Sequence, residues 1–347
     1  MRILRDRLSA QQTGFTVLEL MVGLAIGMLL VLVIMQVMAV FEAQNRTTTG
    51  TAEAQTNGGI ALYTIARDVQ MAGYPLTPTD DGSPLNCTTA GMLATLTPAS
   101  IMDGASDALT FHYGDAANGG VPTAVEGISG NEVTLRTNFG CRAGDIVLIT
   151  SGVSCATTSV SSLNGTTAVV LASAAGISLG ANLACLGTWN TVTYAVNNGA
   201  LERNGVPILA GIVNLQAQYG IADSAGSNQI TRWVNAKDDA DWDAAVDGIS
   251  TGVNWGAGLT VAERNRIKAI RIAIVARNDK TEPANTSVAC NSLTDAAPNG
   301  LCAWAGNATS PAPEIDLSAD ADWHRYRYRV FETIIPLRNV VWSKEKL

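Results

Sequence analysis

The sequence predicts an α+β protein in which one long N-terminal helix is followed by a mainly antiparallel β-sheet. An almost unbroken apolar run extends from Val17 to Phe41, and a polar but helix-compatible stretch continues it to about Ala72. After that, short β-branched segments alternate with Gly, Asn, Asp and Ser. An apolar content of 47%, with 33 glycines among 347 residues, is typical of a folded, turn-rich β domain and not of a disordered chain.

The apolar run is long enough to cross a bilayer as a helix. At a rise of ~1.5 Å per residue, the segment from Val17 to Phe41 exceeds the ~30 Å of a hydrocarbon core. The preceding segment, 1–14, carries three Arg against one Asp and lacks both an apolar core and a small-x-small cleavage site, so it is not an ordinary signal peptide. Its positive charge predicts a cytoplasmic N-terminus, with the chain after Phe41 on the opposite side of the membrane.

Glu19 places a carboxylate inside this apolar run. An isolated charge there costs at least about 2.5 kcal/mol, so the group needs either a partner or a proton. If the chain were cut after Gly14, Phe15 would present a new α-ammonium group one helical turn from Glu19. The two charges would then neutralise each other within one chain or between neighbouring chains. The alternative interpretation is a glutamate tolerated near the membrane interface.

The stretch GFTVLELMV at 14–22 resembles the class III signal sequence of type IV pilins and type II secretion pseudopilins. That signal has a Gly, a hydrophobic residue that is usually Phe, three further residues and then Glu. In the family, a prepilin peptidase cuts after the Gly and N-methylates the new first residue. The resemblance therefore implies cleavage between Gly14 and Phe15, methylation of Phe15, and an assembly role for the Glu19 carboxylate.

Charge and motifs exclude several function classes. The formal net charge is -8, and removal of 1–14 leaves 19 basic and 29 acidic residues, or -10. Such a surface repels nucleic acid at long range, so we expect no nucleic-acid partner. No phosphate loop, nucleophile elbow or HExxH motif occurs, and we therefore predict a protein that is not an enzyme and has no cofactor.

Six cysteines lie beyond the apolar run, and an even count in an exported domain predicts disulfides. Six cysteines permit 15 pairings. The sequence favours the local pairs Cys141–Cys155 and Cys290–Cys302, which leaves Cys87 with Cys185. Zinc is a poorer interpretation, because no CxxC occurs and neither histidine, His112 or His324, is a near neighbour of a cysteine.

The helix is predicted to continue beyond the membrane over 42–73. A narrow apolar stripe at steps of three and four should pack on the globular domain, and Gly73-Tyr74-Pro75 should end the helix. Gly50 and the Gly58-Gly59 pair weaken the helix by roughly 1 kcal/mol each, which predicts local bending or melting. The stripe consists of Gly58, Leu62, Ile65, Val69 and Ala72.

Strand signals fill much of the remaining chain, with long loops over 221–258 and 278–321. Asn197-Asn198-Gly199 is a hairpin signal, and Thr260 with Glu263 has capping-box spacing that predicts a short helix. The predicted strands are Ala108–Tyr113, Glu132–Thr137, Asp145–Thr150, Thr167–Ala172, Thr191–Val196, Ala200–Arg203, Ile212–Tyr219, Lys268–Arg277 and Arg325–Glu332.

Four further segments resemble PilW-type minor pilins. They are 57–62 and 66–74 in the helix, 215–220, and the C-terminal 328–339. The resemblance implies a leader at 1–14, a transmembrane and assembly helix at 15–41, its continuation at 42–73, and an extracytoplasmic β-rich pilin domain at 74–347.

The resemblance also implies a role. The expected function is that of a low-abundance pilin that helps to prime type IV pilus assembly at or near the tip, and so supports twitching motility and surface attachment. The implied partners are other minor pilins, the major pilin, the prepilin peptidase and the inner-membrane assembly machinery. The chain would first cross the inner membrane once, with its C-terminal domain in the periplasm, and then join the pilus. The alternatives are a J-type minor pseudopilin of a type II secretion system, or a tip adhesin that binds a ligand.

Three side-chain clusters leave two interpretations open. An acidic cluster either binds calcium or is a solvated loop, since the glycine and distal glutamate of an EF-hand are missing. Three arginines predicted on one face of the last strand form either a contact patch for an acidic partner or a solvated edge that discourages aggregation. Three loop tryptophans are either an adhesive surface or buried anchors. His112 is expected to be exposed. The acidic cluster is Asp238, Asp239, Asp241, Asp243 and Asp247; the arginines are Arg325, Arg327 and Arg329; the tryptophans are Trp233, Trp242 and Trp255.

Overall fold

The computed structural model of the protein describes residues 14–76, 90–91, 96–151, 154–237 and 253–342. The chain forms two compact units, 1–50 and 51–347. The helices are α1 (Val17–Met71), α2 (Val261–Arg264) and α3 (Arg338–Trp342), with a 3-10 turn at Trp323–Arg325. The strands are β1 (Ala90–Gly91), β2 (Ala99–Met102), β3 (Ala108–Tyr113), β4 (Thr123–Ser129), β5 (Glu132–Leu135), β6 (Ile146–Ser151), β7 (Ser154–Asn164), β8 (Ala168–Leu171), β9 (Asn182–Gly187), β10 (Asn190–Asn197), β11 (Ala200–Arg203), β12 (Val206–Ala210), β13 (Ile212–Ile221), β14 (Arg232–Val234), β15 (Ile267–Arg277) and β16 (Tyr328–Pro336).

Helix α1 is continuous over 55 residues, and neither Gly50 nor the Gly58-Gly59 pair interrupts it. It is the one helix among the described residues that is long and apolar enough to cross a membrane, and none of its most apolar window is buried within the protein. The helix ends as predicted, because Gly73 adopts a φ of +78° that favours glycine.

Two antiparallel sheets of the second unit pack around one hydrophobic core. One has five strands in the order β12-β11-β10-β3-β2, and the other has four in the order β14-β13-β15-β16. The predicted alternation of β15 is confirmed: its even-numbered residues, such as Ile272, lie in the core beneath α1, while Ala273 and Val275 face a second cluster on the opposite face. The predicted stripe of α1 is buried at Gly58, Ile65, Val69 and Ala72, whereas Leu62 is only partly buried and Ala61 takes its place in the core.

A six-stranded barrel, which the sequence did not predict, interrupts the five-stranded sheet between β3 and β10. Its order is β7-β6-β9-β4-β5-β8, and pairing of β7 with β8 closes it. The short strand β1 pairs in parallel with β7. Eleven buried residues, mostly Val, Leu and Ile, fill its interior, so the barrel has a hydrophobic core of its own.

The local signals for the hairpin and the short helix are confirmed. Asn198 and Gly199 have φ values of 48° and 72°, the left-handed conformations that a two-residue hairpin turn requires. At α2, the Thr260 amide donates to Glu263 Oε2 at 2.6 Å, and the Glu263 amide donates to Thr260 Oγ1 at 3.3 Å, which is a complete capping box.

The disulfide pairing was only partly predicted. Cys290–Cys302 is present, but Cys141 is bonded to Cys185, so the predictions Cys141–Cys155 and Cys87–Cys185 are wrong. Strand geometry explains the difference. Cys185 lies in the barrel interior with Cys141 against it, whereas Cys155 packs on the barrel's outer surface. Cys155 is itself disulfide-bonded, and Cys87 lies outside the described residues.

The last strand begins later than predicted, which corrects the interpretation of the three arginines. Arg325 ends the 3-10 turn and pairs with Asp322, and Arg327 precedes β16 and pairs with Glu282 at 2.7 Å. Only Arg329 belongs to the strand. His112 is half-buried and not exposed: its ring stacks on Trp189, its Nδ1 lies 2.9 Å from the Thr97 carbonyl oxygen, and burial lowers its pKa.

Candidate functional site: the apolar helix and its docking sheet

The N-terminus of α1 is capped by Thr16. The Glu19 amide donates to Thr16 Oγ1 at 3.2 Å, and the Leu20 amide donates to the Thr16 carbonyl at 3.1 Å. Only Phe15 would therefore precede the cap in a chain cut after Gly14. Phe15 is 82% exposed, and the Glu19 carboxylate is exposed with no hydrogen bond or ion pair to any described residue.

The large apolar side chains between Phe15 and Phe41 are all at least half exposed. Each Leu, Ile, Val, Phe or Met gains roughly 1.5–3 kcal/mol on full burial, so this surface strongly favours contact with lipid or with other chains. Glu19 and Gln36 are the strongly polar residues within it.

The second half of α1 is fixed to the two sheets by contacts at three levels. At the N-terminal end of this half, Asn57 Nδ2 donates to the Ala210 carbonyl at 3.1 Å. One residue on, Gly58 lies directly against the ring of Phe331 in β16, and a Cβ at this position would collide with that ring. The absence of a side chain at Gly58 is what lets helix and strand approach this closely.

A polar cluster forms the middle level. The Tyr194 hydroxyl donates to Asp68 Oδ2 at 2.7 Å, and Arg203 forms an ion pair with the same oxygen at 2.9 Å. Burial, and then the hydrogen bond to Asp68, raise the pKa of Tyr194, so its hydroxyl keeps the proton that it donates. One carboxylate on the helix thus holds two strands, β10 and β11.

The C-terminal end of α1 forms the third level. Asn339, in α3, donates from Nδ2 to the carbonyl oxygens of Ala72 at 3.0 Å and Gln70 at 3.2 Å. These carbonyls have no intrahelical partner, so Asn339 caps the helix from nearly the opposite end of the chain. The Gly73 amide then donates to the His112 carbonyl at 2.8 Å.

These contacts join the segments that carried the resemblance. The helical segments 57–62 and 66–74 meet the C-terminal segment 328–339, while Leu215, Ala217 and Tyr219 lie in the same core. Residues 187–339, which hold most of this arrangement, match the model of a family described as type IV pilus-assembly protein W, PilW. The chain carries a PilW domain. No curated protein and no solved structure matches the chain.

The PilW match implies a role in type IV pilus assembly and an association with the pilus machinery at the membrane or cell surface. It begins at the last residue of β9, so nearly the whole barrel lies outside it. The family is one of assembly proteins, structural and not catalytic. Among the described residues, no three His, Cys, Asp or Glu side chains are grouped so as to hold a metal ion.

The predicted calcium cluster, from Asp238 to Asp247, lies outside the described residues, as does Trp242. Of the other two loop tryptophans, Trp255 is buried in the PilW core and Trp233 is half-buried. The anchor interpretation therefore holds for Trp255. Trp233 lies over Arg271 at 5.9 Å, and Trp304 covers the same guanidinium at 4.3 Å.

Sequence reasoning missed two polar groups of the second unit. Arg271, between these two tryptophans, also pairs with Glu332 at 2.9 Å and so links β15 to β16 on their outer face. Asp107 is buried and accepts hydrogen bonds from the amides of Gly104 at 3.0 Å and Ala217 at 2.7 Å. Burial raises its pKa to about 7. Strand alternation predicts the outward direction of Arg271, but no local signal identifies its partners.

Proposed function

We propose that the chain is a minor pilin that acts in the priming or tip complex of a type IV pilus and so supports twitching motility and surface attachment. One observation carries this proposal: a PilW domain is fixed to a helix whose first 25 residues expose an apolar surface with a single unpartnered carboxylate. A soluble protein gains nothing from such a surface, whereas a subunit that moves from lipid into a bundle of similar helices requires it.

Processing is the first step of the proposed mechanism. The prepilin peptidase cuts between Gly14 and Phe15 and methylates the new Phe15 amine. Both residues precede the helix and are exposed, which suits recognition of the chain in an extended form. The mature amine then lies close to the Thr16 cap and within reach of carboxylates on neighbouring helices.

Assembly is the second step. The mature helix spans the inner membrane, with the PilW domain in the periplasm, until it enters the growing pilus. There the apolar surface exchanges lipid for neighbouring helices, and the Glu19 carboxylate meets the Phe15 amine of a neighbouring subunit. The partners are other minor pilins and the major pilin.

Substitution of Glu19 tests the assembly step. We expect Glu19→Ala to be processed normally but to lose most surface piliation and most co-purification with other pilins. Gln36→Ala is the matched control, because it removes a polar but uncharged side chain from the same run and should have little effect. Normal pilus number and normal partner recovery in Glu19→Ala would contradict the proposal.

Substitution of Gly14 tests the processing step separately. A Gly14→Leu chain should remain uncut in the membrane, whereas the wild-type chain should begin at a methylated Phe15. Intact-mass measurement of both proteins distinguishes these forms. A shortened Gly14→Leu product would show that the cut has been assigned to the wrong bond.

The barrel favours one second candidate function, a tip pilin that binds an external ligand. It lies almost wholly outside the PilW match and has its own core and disulfide. The paired ends of β3 and β10, Tyr113 and Asn190, allow its replacement by a short turn. The variant in which a short turn replaces the barrel tests this candidate. Normal pilus assembly with loss of surface attachment would support it, and loss of assembly would reject it. The type II pseudopilin alternative is disfavoured by the PilW match.

A further inference from the structure

Strand β16 lies at an open edge of the four-stranded sheet. The hydrogen bonds around it show to which side the amide and carbonyl groups of each residue point. Beyond its end, the Leu337 amide donates to the Lys268 carbonyl at 2.9 Å, toward β15. On the other side of β15, the Arg277 amide donates to the Gly211 carbonyl near the start of β13. The backbone amide and carbonyl groups of successive residues point to opposite sides of a strand. The backbone groups of the odd-numbered residues of β16 therefore bond to β15, and those of the even-numbered residues point away from it.

The outward row therefore presents the amides and carbonyls of Tyr328, Val330, Glu332 and Ile334, and the carbonyl of Pro336. No described residue is hydrogen-bonded to these backbone groups. The strand runs for nine residues against β15 without a register shift, and only its last residue is a proline. Such a row is a ready template for another strand.

Other sheet edges in the described part of the chain are blunted. Strand β12 has five residues, a register shift beside it and a proline, Pro207, at its second position. Strands β2 and β14 have four and three residues, and the barrel closes on itself. Strand β16 is longer and more regular than these edges, and its own protection is limited to the charges of Arg329 and Glu332 and to the terminal Pro336.

Side chains on the strand indicate what covers it. Ile334, on the outer face, is 51% exposed. Arg329, on the face toward α1, is exposed and forms no ion pair with a described residue, whereas Arg325 and Arg327 are both paired. A covering strand should therefore carry an apolar residue near Ile334 and an acidic residue near Arg329. An antiparallel second copy does not fit, because its corresponding row is Arg329, Phe331, Thr333 and Ile335 and has no acid.

We propose that β16 receives an extended strand from a different pilin subunit, which continues the four-stranded sheet. This inference rests on the proposed function, since it names the surface by which the PilW domain binds an assembly partner. Main-chain hydrogen bonds to the even-numbered residues supply the attachment, and Arg329 and Ile334 select the sequence. The groups that make this contact belong to β16, and none belongs to the apolar run from Val17 to Phe41.

The test uses the full chain, solubilised from membranes with each other pilin of the same cell tagged in turn. Ile334→Pro removes an outward amide and places a ring on the open edge while sparing the β15 ladder; Pro336 already occupies an equivalent position. Ile334→Val is the matched control, because it keeps the amide, the β-branched shape and the apolar surface. We expect one tagged pilin to be captured at least tenfold less by Ile334→Pro, and within threefold of wild type by Ile334→Val.

Hydrogen exchange on the captured wild-type complex is the second measurement, and segment 328–336 should exchange more slowly than in the isolated chain. If Ile334→Pro fails to fold, Arg329→Glu takes its place with Arg329→Gln as control, and the charge reversal should reduce capture at least fivefold. Equal capture by the edge variant and its control, unchanged exchange, or capture only of a differently tagged copy of this chain would overturn the inference. If wild type captures no pilin, the proposed function fails with it.

Discussion

Two adjacent glycines of α1, Gly58 and Gly59, isolate the contact between the helix and β16. Replacing either by alanine removes the same helix-propensity penalty of about 1 kcal/mol. Their surroundings differ: no atom lies within 4 Å of a Cβ placed at Gly59, whereas a Cβ at Gly58 would collide with the Phe331 ring. The difference between the two alanine variants therefore measures how tightly helix and strand are packed.

The expected free energies of unfolding follow from this comparison. Gly59→Ala should stabilise the protein by about 1 kcal/mol. Gly58→Ala has the same gain, but it must displace a partly buried aromatic ring, and overpacking of this kind costs about 1–3 kcal/mol. The two variants should thus differ by about 1–3 kcal/mol, or several degrees in melting temperature for a domain of this size.

Thermal unfolding of the full chain in detergent, followed by near-ultraviolet circular dichroism of its tryptophans, measures this difference. Phe331→Leu should narrow the gap between the two alanine variants, because the smaller side chain leaves room for the new methyl group. Equal melting temperatures for the two single variants would refute the packing argument. So would a gap that Phe331→Leu leaves unchanged.

Three further predictions concern polar groups of the second unit. Asp68→Ala should lower the free energy of unfolding by about 2 kcal/mol, because the buried Tyr194 hydroxyl loses its acceptor while the partly exposed Arg203 regains water; an effect as small as that of the exposed Glu126→Ala would contradict this. Asp107 has a pKa of about 7 in place of the ordinary 3.8, so the folded state holds a proton that the unfolded state releases. Its stabilisation is complete below pH 3.8 and is lost as the pH rises through 7, so denaturant titrations of wild type should lose stability relative to Asp107→Asn over that interval. Asn339→Ala should cost about 1 kcal/mol and speed amide exchange at the end of α1, and Asn339→Asp, which lacks the donor, should do the same.

Structural features that depend on residues close together in the sequence were predictable. The capping box at Thr260, the left-handed turn at Gly199 and the alternation of β15 each depend on residues within a few positions of one another, and the structure contains all three. The long helix was predicted for the same reason. The predicted melting at the glycines was wrong, because α1 runs through Gly50, Gly58 and Gly59 without a break, and the contact of Gly58 with Phe331 supports the helix where propensity alone weakens it.

The barrel was not predictable because closure is a long-range property. Strand β7 is rich in Ser and Thr and supplies one large buried apolar residue, Val160, so no alternating pattern marks it. Strand β4 contains Gly127 and likewise gives a weak signal. The wrong disulfide prediction has the same origin. The short sequence separation favoured Cys155 as the partner of Cys141. Cys185 is the actual partner because it lies with Cys141 in the barrel interior, whereas Cys155 lies on the outer surface.

The apolar side chains in the two halves of α1 differ in burial. This difference gives the Glu19 carboxylate the decisive role in the proposed assembly. Residues from Ala54 to Ala72 bury their apolar stripe within the second unit, whereas the large apolar side chains from Phe15 to Phe41, in the first unit, are at least half exposed. Lipid tails are as apolar as leucine, so moving the exposed segment from a bilayer into a bundle of pilin helices changes its hydrophobic free energy little. A free carboxylate in the apolar phase costs at least about 2.5 kcal/mol, and a neighbour's ammonium group relieves that cost only in the bundle. In the proposed assembly, Glu19 therefore supplies the preference for the pilus over the membrane that the apolar side chains cannot provide.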